Sequence, residues 1–282
     1  MPALRSGLLR GLPLFLAAVP ALAAPPTVSF LTPSKYSANL GAALTLRFEV
    51  GAAKTAQPAA WPTGEVGWLF IRGGKTQENR HDVRPQNSQD NFVPLRIEYA
   101  GVTLVGADRR SPTLETTGAE LRAFVEQNVA AGPAAQKAQS LPADSKLRVR
   151  QIASTKTLIR APDPNGQLIP SAIATSKTGQ AVEIRSNFDP TAATVGSDLP
   201  LSVYVDGDKL PGAKVQATNV TTGQTTTYIA DNGGAGYFHI TDAGVWRVEF
   251  HHAVPLQNDP VADWVIYSAT VTFEVAEKGG GQ

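Results

Sequence analysis

His251 and His252 close the segment GVWRVEFHH at residues 244–252, and they are two of only four histidines in the chain. Imidazole together with carboxylate is a donor set that suits zinc, nickel or cobalt. Asp259 and Asp263 follow within a few residues. Adjacent residues of a strand point to opposite faces, so only one of the two histidines joins any one site. His252 shares its face with Trp246, Val248 and Phe250, which leaves two readings open. In the first, His252 is a partly buried side chain hydrogen-bonded to neighbouring backbone or to Asp263. In the second, His252 and Asp263 begin a metal site that His251 or Asp259 completes, holding nickel, cobalt or zinc weakly because two firm ligands are few.

Other chemistry is scarce. The chain has no cysteine, which removes disulfides, thiolate metal sites and cysteine nucleophiles together. There is no G-x-S-x-G elbow on which to build a hydrolytic triad. GGKT at 73–76 looks like the end of a phosphate loop, but residue 69 is leucine and no helix pattern follows. DNGGAG at 231–236 lacks the spaced carboxylates of a calcium loop and reads as a turn. His81 and Asp82 lie in a polar, unpatterned stretch. The expectation is a protein that is not an enzyme.

The elements that must position these residues announce themselves by period two. Leu199, Leu201, Val203 and Val205 share one face, as do Trp246, Val248, Phe250 and His252, and then Val265, Tyr267, Ala269, Val271, Phe273 and Val275. That alternation predicts strands with one buried and one wet face. Gly- and Asp-rich turns separate them at the spacing of an immunoglobulin-like or transthyretin-like β-sandwich. Upstream, an apolar stretch to Leu31 and residues 44–50, 65–72, 154–162 and 179–185 also read as strands, and 93–108 as two strands around a turn at Ala100-Gly101. TTGAELRAFVEQN at 116–128 is the single helix expected, with a threonine cap and Leu121, Phe124 and Val125 on one face. Residues 130–146 read as a flexible connector. The fold class is therefore mainly β: an N-terminal β domain over 24–185 with long loops and one short helix, a C-terminal sandwich over 186–276, and a disordered tail over 277–282.

Residues 1–23 carry Arg5 and Arg10, an apolar run and Ala21-Leu22-Ala23, the pattern of a cleaved secretory signal. A periplasmic or secreted location follows, with 259 of the 282 residues left after cleavage. Removing those two arginines from 25 basic residues leaves 23 against 24 acidic ones, which disfavours nucleic acid as a partner. No later stretch is apolar for long enough to read as a transmembrane helix.

Four segments carry a family resemblance: TKTLIR at 155–160, VEIRSNFDPTAATVGSDLPLSVYVDGDKLPGAKV at 182–215, GVWRVEFHHAVP at 244–255 and ADWVIYSATVTFEV at 262–275. In their order and spacing the chain resembles an exported bacterial family catalogued as a domain of unknown function, number 4198. Some of its members are named nickel uptake transporter family proteins. The resemblance implies a periplasmic accessory or binding protein for transition-metal uptake, working with an inner- or outer-membrane transporter component. The alternative is a structural or interaction module of the cell envelope with no small ligand. His252 and the pair Asp263 and Trp264 match the family pattern. The family's opening histidine has no counterpart in TVSFLTP at 27–33.

Overall fold

The computed structural model describes residues 27–62, 64–74, 76–78, 91–169 and 171–277. The signal-like residues 1–23, the pair His81 and Asp82, and the tail from residue 278 onward lie outside the described residues. The protein is mainly β. Its first half holds β1 (Ser29–Pro33), β2 (Ala43–Val50), β3 (Gln57–Pro58), β4 (Val66–Gly73), β5 (Thr76–Glu78), β6 (Phe92–Arg96), β7 (Gly101–Arg110) and β8 (Leu114–Thr117). Helices α1 (Gly118–Asn128) and α2 (Pro133–Gln139) then lead to the long strand β9 (Lys146–Ala161). The second half holds β10 (Val182–Ser186), β11 (Asp198–Val205), β12 (Asp208–Lys209), β13 (Lys214–Asn219), β14 (Thr225–Ile229), β15 (Ala235–His239), β16 (Gly244–Pro255) and β17 (Trp264–Val275).

Helix α1 starts where the sequence places a cap. Thr117 accepts from the Glu120 backbone, and the Glu120 side chain accepts from the Thr117 backbone in return. Leu121, Phe124 and Val125 form its buried stripe. Gly118 is required at its first turn, because a Cβ there would stand 2.0 Å from the Pro142 carbonyl oxygen. The stretch read as a flexible connector holds the second helix, α2. Pro133 opens it, alanines favour it, and Ala138 is buried beside α1.

Three sheets stack in layers. The middle one has nine strands in the order β14-β13-β16-β17-β9-β7-β4-β5, with β8 also paired to β9. Strands β10, β11, β12 and β15 form one outer sheet, and β1, β2, β3 and β6 form the other. Strands β17 and β9 run parallel from the pair Trp264 and Val149 to the pair Thr272 and Thr157, so both halves of the chain share the middle sheet. The boundary expected after residue 185 falls inside β10, which pairs along its length with β11.

The outer sheets explain why β16 and β17 lack the wet face that their alternation predicts. Trp246, Val248, Phe250, Val271 and Phe273 pack on one side against Val182, Leu199, Leu201 and Phe238. On the other side the N-terminal sheet covers Ile71, Val105 and Ile159, while α1 covers Val149, Ala253, Trp264 and Ile266. Trp264, just ahead of the alternating run of residues 265–275, is thus core under α1. Each large side chain buried this way contributes roughly 1.5–3 kcal/mol relative to exposure.

Candidate metal centre

Between the two apolar patches on that second side runs a buried band of polar side chains. Its members are the residues of β16, β17 and β9 that alternate with the core: Arg247, Glu249, His251, Ser268, Thr270, Thr272, Gln151 and Thr157. Strand β1 crosses the band and satisfies much of it with backbone. Thr270 donates to the Ser29 carbonyl at 2.8 Å, Thr272 to the Leu31 carbonyl at 2.6 Å, and Gln151 to the Thr27 carbonyl at 3.2 Å. Arg247 pairs with Glu49 of β2, donates to the Ala53 carbonyl at 2.9 Å, and lies over the Phe30 ring. Tyr36 is buried nearby, and burial pushes its phenol up to about 12. A charge this deep is tolerated because it is paired and hydrogen-bonded.

Glu249 and His251 are not satisfied in this way. Strand period two puts them on the same face two residues apart, and both are more than nine-tenths buried. His251 Nδ1 is 2.9 Å from Ser268 Oγ, and its ring meets Phe124 of α1 edge-on at 5.3 Å. His251 Nε2 faces Glu249 Oε2 at 3.8 Å, beyond hydrogen-bond range. Neither atom has a hydrogen-bond partner, and neither has Gln151 Oε1. When Nδ1–H donates to Ser268, Nε2 turns a lone pair toward a carboxylate oxygen. In that tautomer two buried acceptor atoms face each other and leave room for a cation between them, whereas a ring protonated on both nitrogens makes the same contact a long ion pair.

Glu249 also lines a cavity of about 470 Å³ at the end of the band. Helix α1 supplies Glu120, Ala123, Phe124, Gln127 and Asn128 to its wall, and Thr27, Val28, Gly51 and Ala52 complete it. Hydrogen bonds from Thr117 hold the Glu120 carboxyl below the usual carboxylate range.

The structure separates the residues that the sequence grouped. His252 is cross-strand partner to Tyr267 and stacks on it at 6.4 Å, and burial lowers its basicity. Leu256 donates backbone to Asp263 at 2.9 Å, four residues beyond His252, or about 13 Å along the strand. Asp263 is engaged elsewhere. Its carboxylate takes Arg148 Nη2 at 3.0 Å and the Arg148 backbone at 2.8 Å, and Arg148 holds it below the usual range. Asp259 pairs with Arg150 at 3.1 Å and caps the turn at Val261 and Ala262. These aspartates fasten the β16–β17 loop to β9. Among the described residues no group of three His, Cys, Asp or Glu side chains could hold an ion. Of the three residues read as ligands, only His251 has a carboxylate at hand, and that carboxylate is Glu249. The available signal was the i, i+2 pair in RVEFH, hidden by the assumption that this face is wet.

A family model described as Domain of unknown function (DUF4198) matches residues 29–254. No curated protein matches the chain. Among solved structures, the three N-terminal domains of the bacteriophage RB49 Highly Immunogenic Outer Capsid protein are similar at 8% identity and a TM-score of 0.19. That match covers 89% of this chain and 59% of the capsid chain. The D00-D0 domain of intimin is 10% identical, with 88% of this chain and 100% of that one covered at a TM-score of 0.20. The full ectodomain of mouse nectin-like molecule 4 is 13% identical, with 92% and 67% covered at 0.19. At these scores the fold rests on the sheets described above.

Proposed function

The chain belongs to the family Domain of unknown function (DUF4198), and on that premise we propose that it is an exported, non-enzymatic binding protein accessory to transition-metal uptake. The observation that supports this reading is the facing pair Glu249 Oε2 and His251 Nε2, 3.8 Å apart, both buried and neither hydrogen-bonded. An ion at ~2.0–2.2 Å from a nitrogen and an oxygen donor separates them by roughly 3.4 Å in a tetrahedral site, so 3.8 Å needs only a small side-chain adjustment. Nickel, cobalt and zinc all accept this donor pair. Residues 1–23 supply the export signal, and the ion's onward recipient is a transporter component of the membrane.

Calorimetry on the tag-free mature chain with nickel, cobalt and zinc tests the reading. Heats present in the wild type and lost in Glu249→Gln support it, and equal heats from both proteins contradict it. Ile229 and Tyr237, which flank the contact between Gly236 and the Tyr228 ring, favour a second reading. These large side chains are exposed on β14 and β15 and suit an envelope interaction module.

A further inference from the structure

The facing pair Glu249 and His251 lies between two openings. On one side Glu249 borders the cavity of about 470 Å³, which is half open to solvent and also lined by Thr27, Glu120, Gln127 and Asn128. That volume equals roughly fifteen waters at ~30 Å³ each, enough for an ion that keeps its water shell. On the other side His251 and His252 border a smaller cavity of about 210 Å³, between residues 129–134 and 210–214. The two mouths differ in charge. Glu120 and Glu249 are the charged side chains of the first, with no lysine or arginine among the described residues that line it. Lys214 is the fixed charge of the second, and it donates to the Gln127 carbonyl at 2.5 Å. A cation is therefore drawn to the first mouth and repelled from the second.

At the first mouth the Glu120 carboxylate is held in place. It accepts from the Thr117 backbone at 2.8 Å, the Thr117 hydroxyl at 2.9 Å and the Thr116 hydroxyl at 3.1 Å. All three bonds go to Oε2, so Oε1 takes none of them. The bonds from Thr117 also keep the carboxyl below the usual range, and it stays ionised at neutral pH. Glu249, whose buried Oε2 is not hydrogen-bonded, is the second carboxylate on the same cavity. We propose that Glu120 steers the hydrated ion into this cavity, from which Glu249 and His251 take it. The inference rests on the reading that Glu249 and His251 hold the ion, and it adds the way in. Glu120 thus has two duties, capping α1 and drawing in the cation.

Glutamine separates the duties, because it completes a capping box as glutamate does but carries no charge. Stopped-flow mixing of cobalt with the tag-free mature chain, read by quenching of tryptophan fluorescence, gives the association and dissociation rates. Glu120→Gln should melt near the wild-type temperature. At low salt it should take up cobalt about three- to tenfold more slowly, with the dissociation rate unchanged. The deficit should vanish at about 1 M salt, where the Debye length falls to ~3 Å. Lys214→Gln, at the other mouth, should change the association rate by less than about twofold. Wild-type association in Glu120→Gln, a loss carried by the dissociation rate, or several-fold faster association in Lys214→Gln overturns this route while leaving the ion site standing. No cobalt binding by the wild-type chain overturns both.

Discussion

The two faces of the β16–β17 pair have opposite characters although both are buried. One carries Trp246, Val248, Phe250, Val271 and Phe273 and closes a core with the outer sheet of β10 and β11. The other carries Arg247, Glu249, His251, Ser268, Thr270 and Thr272, roofed by β1 and α1. A protein gains stability from the first kind of face. The second must meet each polar group with a partner, and the usual result is near break-even. Where most partners are present, as at Arg247 and Glu49 with only Arg247 Nε left over, the band is structural. Where they are missing, as at Glu249 and His251, the arrangement is better explained by a ligand than by the fold.

This contrast can be broken at several points. Trp246→Ala removes the largest side chain of the apolar face and should cost about 3–5 kcal/mol, read as a shift in the urea midpoint. A loss below about 1 kcal/mol would show that this face is not the main source of stability. Arg247→Met strands Glu49 and should cost about 3 kcal/mol, whereas Arg247→Met with Glu49→Met should recover most of that loss. A double variant as weak as the single one would mean that the pair itself stabilises the fold.

Glu249→Gln should sharpen the contrast, because it removes a charge that no hydrogen bond satisfies. Its stability should stay within about 1 kcal/mol of wild type or rise, while ion binding disappears. A large loss of stability would return Glu249 to the structural class. The smallest effect concerns His252, on the apolar side. Burial lowers its folded-state affinity for protons, so the unfolded chain protonates first as pH falls. Stability should therefore decline as pH drops through about 6.5, the ordinary histidine value. His252→Gln should flatten that slope in denaturant titrations at pH 7.5 and 5.5. An unchanged slope would place the titrating group elsewhere.

Much of this architecture is legible from residue order. The alternation in 244–252 and 265–275 marks β16 and β17, and the threonine, glutamate and apolar stripe of 116–128 mark α1 with its cap. The parallel pairing of β17 with β9 is not legible, because it joins segments more than a hundred residues apart and leaves no local pattern. The burial of the polar band follows from that same long-range event. Alternation tells which residues share a face, and only the covering layers decide whether water reaches it. For that reason His251 was legible as a donor and Glu249 was not. Asp263 looked available because nothing local shows that Arg148, on a distant strand, already holds it.

The central claim is that the ion sits at His251, on the polar face, and not at His252. Nitrogen-15 NMR of the histidine rings during a zinc titration of the tag-free chain tests it most directly, with resonances assigned through His251→Gln and His252→Gln. The account predicts that the His251 Nε2 resonance moves on adding zinc, that His252 stays in place, and that Glu249→Gln abolishes the movement. A shift at His252 with His251 unmoved, or no shift at either ring, would contradict it.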